Sequence, residues 1–245
     1  ITKKNVCILK GGSQSEHSNI ILAKIIKESL GKSADFVELL PNDRNTVAKL
    51  LKADNYIDVI IPRGGANLIN FVRENSKIPV IETGAGVVHT YFDEFGDAKK
   101  GEAIIFNAKT SRPGVCNALD TLIINRRKLK DLPALCAKLA EKKVKIYADE
   151  SAFEVLAEKY PSGFLFKAKK ENFGIEYLSL KMSIKTVGNL DEAIAHINQM
   201  GSGHSEAIIT ENKKNAEKFL REVDAAAVYL NASTRFTDGG VYGLG

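Results

Sequence analysis

Asn5-Val-Cys-Ile-Leu9 runs directly into Lys10-Gly-Gly-Ser13, and beyond it Ile20, Ile21, Ala23, Ile25 and Ile26 recur at helical spacing. A short apolar run, a glycine turn and an amphipathic stretch read as strand, turn and helix. The spacing predicts a strand over 6–9 and a helix capped by Ser18 or Asn19 that runs to Leu30 with that apolar face buried. The unit recurs, with strands expected over 36–40, 58–61 and 79–81 and helices over 45–51 and 68–74. The strand at 58–61 ends at Pro62-Arg-Gly-Gly65. Repeated β-turn-α units dictate a parallel sheet, the arrangement that binds nucleotides beyond its strand ends.

A second set follows. Helices are expected over 99–110, 133–142, 151–159, 191–197 and 213–222, and strands over 121–125, 144–147, 183–187, 207–210 and 227–231. Asp191 and Glu192 suit the positive N-terminal end of their helix. Gly84-Ala85-Gly86 is a natural hinge. Two domains are expected, 1–84 and 85–240, with 241–245 opening a further segment.

With 245 residues, 44% of them apolar, and a formal charge of +5, the composition is that of an ordinary globular protein. No apolar run reaches membrane-spanning length. Lysines are scattered among glutamates as on solvated helix faces, and no basic block interleaved with aromatics or nucleic-acid motif is present. Anionic small molecules fit this charge better than nucleic acid. The chain opens Ile1-Thr-Lys-Lys4 with neither an initiator Met nor a leader pattern, and reads as cut at its N-terminus.

Three cysteines without metal-type spacing argue against a disulfide framework and fit a reducing, cytoplasmic setting. Cys7, in its strand, and Cys136, at an apolar helical position, read as small core hydrophobes. Cys116 differs. It sits in Asn107-Ala-Lys-Thr-Ser-Arg-Pro-Gly-Val-Cys116-Asn-Ala-Leu-Asp120, a polar loop between apolar stretches, where Lys109 and Arg112 are cations that favour a thiolate.

Other candidates are weaker alone. Lys10, Gly11, Gly12 and Ser13 would let a phosphate or ribose approach the backbone at a strand end, although they form neither G-x-G-x-x-G nor a Walker loop. Gly64 and Gly65 repeat that geometry. Glu82 closes the strand at 79–81 and reads equally as a cap or a site residue. His204, in Gly201-Ser-Gly-His-Ser-Glu206, lies in a glycine-bearing loop. His17 belongs to a helix start, His196 to a helix surface, and His89 is ambiguous. Arg235, in a stretch of hydroxyls and glycines, has the paired donors for a carboxylate or phosphate, a surface ion pair being the bland reading.

Taken in order, Pro62-Arg-Gly-Gly65, Pro79-Val-Ile-Glu-Thr-Gly84, Asn107-Ala-Lys109, Arg112-Pro-Gly-Val-Cys-Asn-Ala118, Gly201-Ser-Gly-His-Ser-Glu206 and the run from Val223 to Gly240 resemble the gamma-glutamyl phosphate reductase family of the aldehyde dehydrogenase superfamily. The resemblance spans essentially the whole chain. It implies an α/β, aldehyde dehydrogenase-like fold, with a Rossmann-type NADP-binding domain and an α/β catalytic domain, of which N- and C-terminal parts, including an oxyanion-hole asparagine, would lie outside this chain. It implies NADPH-dependent reduction of L-glutamyl 5-phosphate to glutamate 5-semialdehyde, in proline biosynthesis. By the same resemblance Cys116 is the nucleophile, Glu82 the general-base position, Lys10 a contact to the adenosine ribose, and Gly64-Gly65 a turn beside the cofactor. Glu176 would hold the nicotinamide ribose, although Leu178 stands where the superfamily has Phe. Arg112, His204 and Arg235 are candidates for the substrate's amino-acid end and phosphate. A homo-oligomer is expected, with glutamate 5-kinase as a partner for substrate hand-over or as a fused domain. Two other readings stay open: a coenzyme A-dependent acylating aldehyde dehydrogenase, and a non-catalytic homologue that serves as a binding module.

Overall fold

The computed structural model describes residues 5–81 and 85–243. The chain divides into two compact units, Ile1–Thr83 and Gly84–Gly245.

In the first unit, β1 (Cys7–Leu9) pairs in parallel with β2 (Val37–Leu39). α1 (Glu16–Leu30) lies against β2, and α2 (Arg44–Leu50) and α3 (Ala66–Asn75) follow in the chain. α1 begins at Glu16, earlier than the expected cap at Ser18 or Asn19, and Ser15 at its N-cap makes no side-chain cap bond. Its expected buried face is buried only at Ala23, whereas Ile20, Ile21, Ile25 and Ile26 are exposed. Cys7 is exposed as well, because the two-stranded sheet is too small to enclose it. The strands expected over 58–61 and 79–81 reduce to a single parallel bridge between Ile60 and Val80, since each has only the other to pair with among the described residues.

The second unit is a seven-stranded, wholly parallel sheet. Its strands are β3 (His89–Phe92), β4 (Thr121–Asn125), β5 (Lys145–Ala148), β6 (Leu165–Lys167), β7 (Lys181–Val187), β8 (Ser205–Ile209) and β9 (Ala227–Leu230), in the order β6-β5-β7-β4-β3-β8-β9. Side chains alternate between the two faces of a strand, and each face builds its own core. Phe92, Leu122, Ile124 and Ile209 point to one side, where Ile105, Leu135, Leu139 and Leu156 meet them from α4 (Ala98–Thr110), α5 (Leu132–Glu141) and α6 (Glu150–Leu156). Tyr91, Ile123 and Ile208 point to the other, where Ile194, Ile197 and Phe219 arrive from α7 (Leu190–Met200) and α8 (Lys213–Glu222). Each such fully buried apolar side chain contributes about 1.5–3 kcal/mol. Side-chain caps open four of the five helices: Asp97, Asp149, Asn189 and Asn212 each accept a backbone N–H of the first turn.

Two strands depart from expectation. β3 and β6 are not among the strands expected from the sequence, yet β3 is central, between β4 and β8. His196 is not on a helix surface. Its ring packs edge-on against His89 and Phe173, and burial lowers its pKa to about 4.

Candidate active site

The loops that precede β3, β4, β7 and β8 share one edge of a parallel sheet, the amino edge. Cys116 lies there, exposed, on the loop from α4 to β4. Both ends of that loop are tied down. Leu119 N donates to Ala108 O (3.0 Å), and Asp120 N donates to Val88 O (2.9 Å). Lys109 is wholly buried at the end of α4, and its ammonium donates to Leu119 O (2.6 Å) and lies 3.9 Å from Asp120 Oδ1. Thus Lys109 anchors the loop with its charge, rather than presenting that charge to solvent beside the thiol. Burial, only partly offset by the two charges themselves, lowers the Lys109 pKa to about 8 and raises that of Asp120 to about 6. Arg112 is exposed on the same loop.

Residues 86–89 enter β3 beneath this loop, and each of their four N–H groups donates to a side-chain oxygen, the acceptors coming from three other segments. Gly86 N donates to Glu176 Oε1 (2.9 Å), Val87 N to Ser202 Oγ (2.9 Å), Val88 N to Asp120 Oδ2 (3.3 Å) and His89 N to Glu206 Oε2 (2.7 Å). Asp120 Oδ1 accepts in turn from Tyr177 N (2.9 Å), so it fixes the residue next to Glu176. The main chain at Gly86 passes so close to Cys116 that a Cβ there would overlap the Cys116 carbonyl. The nucleophile candidate and Glu176 are therefore referenced to one short stretch of backbone.

His204 is half-buried and contacts Ser205 Oγ through Nδ1 (2.8 Å). Burial lowers its pKa, against the opposing pull of Glu176 nearby. Ser205 Oγ reaches Thr237 Oγ1 (2.7 Å), and Asn117 Nδ2 donates to Thr237 O (2.7 Å). The Arg235 guanidinium donates to Asn117 Oδ1, and Thr234 Oγ1 to Asn117 O (2.8 Å). Hydrogen bonds thus bring Cys116, Glu176, His204 and Arg235 to one edge. Beneath them, His89 and Glu206 form a buried pair at 3.1 Å. Burial raises the Glu206 pKa, and His89 pulls against it.

In the first unit, Lys10-Gly-Gly-Ser13 follows β1, at a carboxyl strand end. Lys10 Nζ donates to Asn42 Oδ1 (2.9 Å). Gly11 and Gly12 line a cleft of about 200 Å³ with Glu16, Asn19, Leu40 and Asn42, and the space above Gly12 is open to 4 Å. Ser13 opens a short, exposed 3-10 turn. Gly64 adopts φ of 155° with Leu68 packed on it, and Gly65 caps α3. Glu82 lies outside the described residues. Among the described residues, no cluster of His, Cys, Asp or Glu could hold a metal ion, and no helix is long and apolar enough to cross a membrane.

Reading by residue type missed Asn117, Asp120, Ser202 and Glu206. Their signal was adjacency, since each stands within four residues of a named candidate or on its loop.

Residues 181–243 match the model of the aldehyde dehydrogenase family. Over 98% of its length the chain is 57% identical to gamma-glutamyl phosphate reductase from Legionella pneumophila (strain Paris) and 56% identical to that of Bacteroides thetaiotaomicron. The chain is a homologue of the gamma-glutamyl phosphate reductases. It spans 58% of the length of these two reductases. The crystal structure of the Thermotoga maritima gamma-glutamyl phosphate reductase superposes with a TM-score of 0.89 at 42% identity, over 96% of this chain and 57% of that one. Glyceraldehyde-3-phosphate dehydrogenase GapN from Methanocaldococcus jannaschii, solved with NADP, shares the fold at 16% identity and a TM-score of 0.72, over 96% of this chain and 59% of that one. The fold is therefore aldehyde dehydrogenase-like.

Proposed function

We propose that this chain acts in the NADPH-dependent reduction of L-glutamyl 5-phosphate to L-glutamate 5-semialdehyde, with release of phosphate, in proline biosynthesis. The observation that carries the reading is Cys116, exposed on a loop tied at both ends to a buried sheet edge, in a chain 57% identical to a gamma-glutamyl phosphate reductase. The substrate is an activated acyl group. The Cys116 thiolate attacks the γ-carbonyl carbon, the carbon–oxygen bond to phosphate breaks, and phosphate leaves with the electron pair, giving a thioester on sulfur. The Cys116 backbone N–H is a candidate donor to the developing oxyanion. When bound, a nicotinamide cofactor would supply the hydride for reducing the acyl group on Cys116 to the aldehyde, and the Cys116 sulfur would leave as the restored thiol.

The cleft lined by Gly11 and Gly12 fits a ribose, because no side chain fills the space above Gly12 and the Glu16 carboxylate in its lining suits hydroxyls rather than a phosphate. Lys10 and the turn at Gly64-Gly65 would complete that part of the site. Glu176, held by Gly86 N–H, would orient the nicotinamide ribose beside Cys116. By the resemblance, Glu82 would assist proton movement at Cys116 or orient its neighbours rather than activate water, since water attack on the thioester would waste the acyl phosphate. Arg112 and Arg235 carry the charge, and His204 a further hydrogen-bonding group, for the substrate's amino-acid end and phosphate.

The test is oxidation of glutamate 5-semialdehyde with NADP in the presence and absence of phosphate. Strict phosphate dependence supports the reading. Activity with coenzyme A in place of phosphate, or with water alone, would replace it.

A further inference from the structure

The 233–241 segment and the end of α4 enclose a cleft of about 260 Å³, lined by Asn107, Ser111, Arg235, Phe236, Asp238 and Val241. It carries a guanidinium and a carboxylate, and no ion pair joins Arg235 to Asp238 among the described residues. Arg235 is held in place by its bond to the side chain of Asn117, the residue after the nucleophile candidate. Its Nε is buried with no partner among the described residues, so its donors are not saturated. The Asp238 carboxylate is fixed through Oδ1, which accepts from Gly240 N (2.9 Å) and Val241 N (3.4 Å).

We infer that this cleft anchors the α-amino acid end of the substrate, with Arg235 taking the α-carboxylate and Asp238 the α-ammonium. The inference rests on the reading that Cys116 receives a γ-glutamyl carbonyl. A guanidinium alone would suit a phosphate equally well. Asp238 decides between them, because a carboxylate in the same cleft repels a phosphate and holds an ammonium. Two opposite, mutually unpaired charges match a zwitterion and mismatch a plain dianion, which is how one cleft gains specificity through both attraction and repulsion. Phe236 and Val241 supply apolar surface for the methylenes, and Asn107 and Ser111 supply further hydrogen-bonding groups.

The test is calorimetric titration of the full-length protein with L-glutamate 5-methyl ester and with glutarate monomethyl ester, which has the same skeleton without the ammonium. The wild type should bind the amino ester at least about tenfold more tightly, as expected for one charge-assisted bond. Asp238→Asn, at an exposed position, should bring the two probes to near parity, and Arg235→Gln should weaken both by about tenfold or more. No binding of the amino ester to the wild type, or undiminished discrimination in Asp238→Asn, overturns the assignment. The phosphate-dependent oxidation assay on the same preparation separates the two ideas. Discrimination that vanishes in Asp238→Asn without reductase activity would keep the anchor and remove the reductase reading. Activity with unchanged discrimination would do the reverse.

Discussion

Gly86 is the residue at which the smallest change should have a large effect. Its N–H holds Glu176, and a methyl group in place of its hydrogen would meet the carbonyl of Cys116. The backbone on one side or the other must then shift, at a cost of about 1–3 kcal/mol for an overpacked site. Gly86→Ala should therefore lower the melting temperature and reduce kcat by more than the stability loss explains. A variant with wild-type kcat would show that this contact does not position the thiol. Cys116→Ser should lose turnover by several orders of magnitude, because an unactivated hydroxyl is a far poorer nucleophile, and near-normal turnover would end the thioester mechanism.

The Lys109–Asp120 pair makes a prediction in pH. The folded Asp120 binds its proton more tightly than the unfolded one, so between about pH 4 and pH 6 the folded state holds more protons and stability falls as pH rises. Lys109, with its pKa lowered to about 8, contributes a slope of the opposite sign above that pH. Thermal melts of Asp120→Asn minus wild type should show the acid-side slope removed, and identical slopes would refute the assignment. The sequence displayed both charges but not their burial. A lysine near a nucleophile reads as an activating cation until the fold shows its ammonium on a carbonyl of the same loop.

At the scale of elements, helices in the second unit were legible from their apolar spacing, and the structure closes four of their starts with Asp97, Asp149, Asn189 and Asn212, caps that lie one or two residues ahead of the expected bounds. β3 was not legible. Its His89 and Thr90 are fully buried polar residues, and the carboxylate that makes His89 tolerable there, Glu206, arrives from a strand 117 residues later. A strand buried on both faces has no alternation to read. The candidate site was therefore legible as separate loops, each flagged by glycine, proline or hydroxyl residues, while the stretch that joins them was not. Ser202→Ala removes one of the four acceptors at that stretch. It should cost about 0.5–1.5 kcal/mol and speed amide exchange at Val87 above that of its neighbours, and unchanged exchange there would deny Ser202 this role.

At the scale of the whole chain, the two units differ in what they enclose. The second has a sheet covered on both faces and two hydrophobic clusters, whereas the first has a two-stranded sheet and a helix whose isoleucines are exposed. Two-stranded sheets are marginal by themselves, and local opening follows local burial. Hydrogen exchange on the full-length protein should find the slowest amides in β3, β4 and β7 and faster exchange in β1 and β2. Equal protection would mean that the first unit draws its stability from contacts outside its own core. The sequence pattern of α1 was correct as a pattern and silent about what its face meets, because periodicity reports that a surface is apolar and not what covers it.

The row of donors at residues 86–89 carries one more consequence. The four acceptors are matched to consecutive main-chain positions, so the stretch is constrained in length more than in composition. Insertion or deletion of a single residue there would move every donor to the wrong acceptor at once and part Cys116 from Glu176, whereas a side-chain exchange such as Val87→Ile would leave the alignment intact.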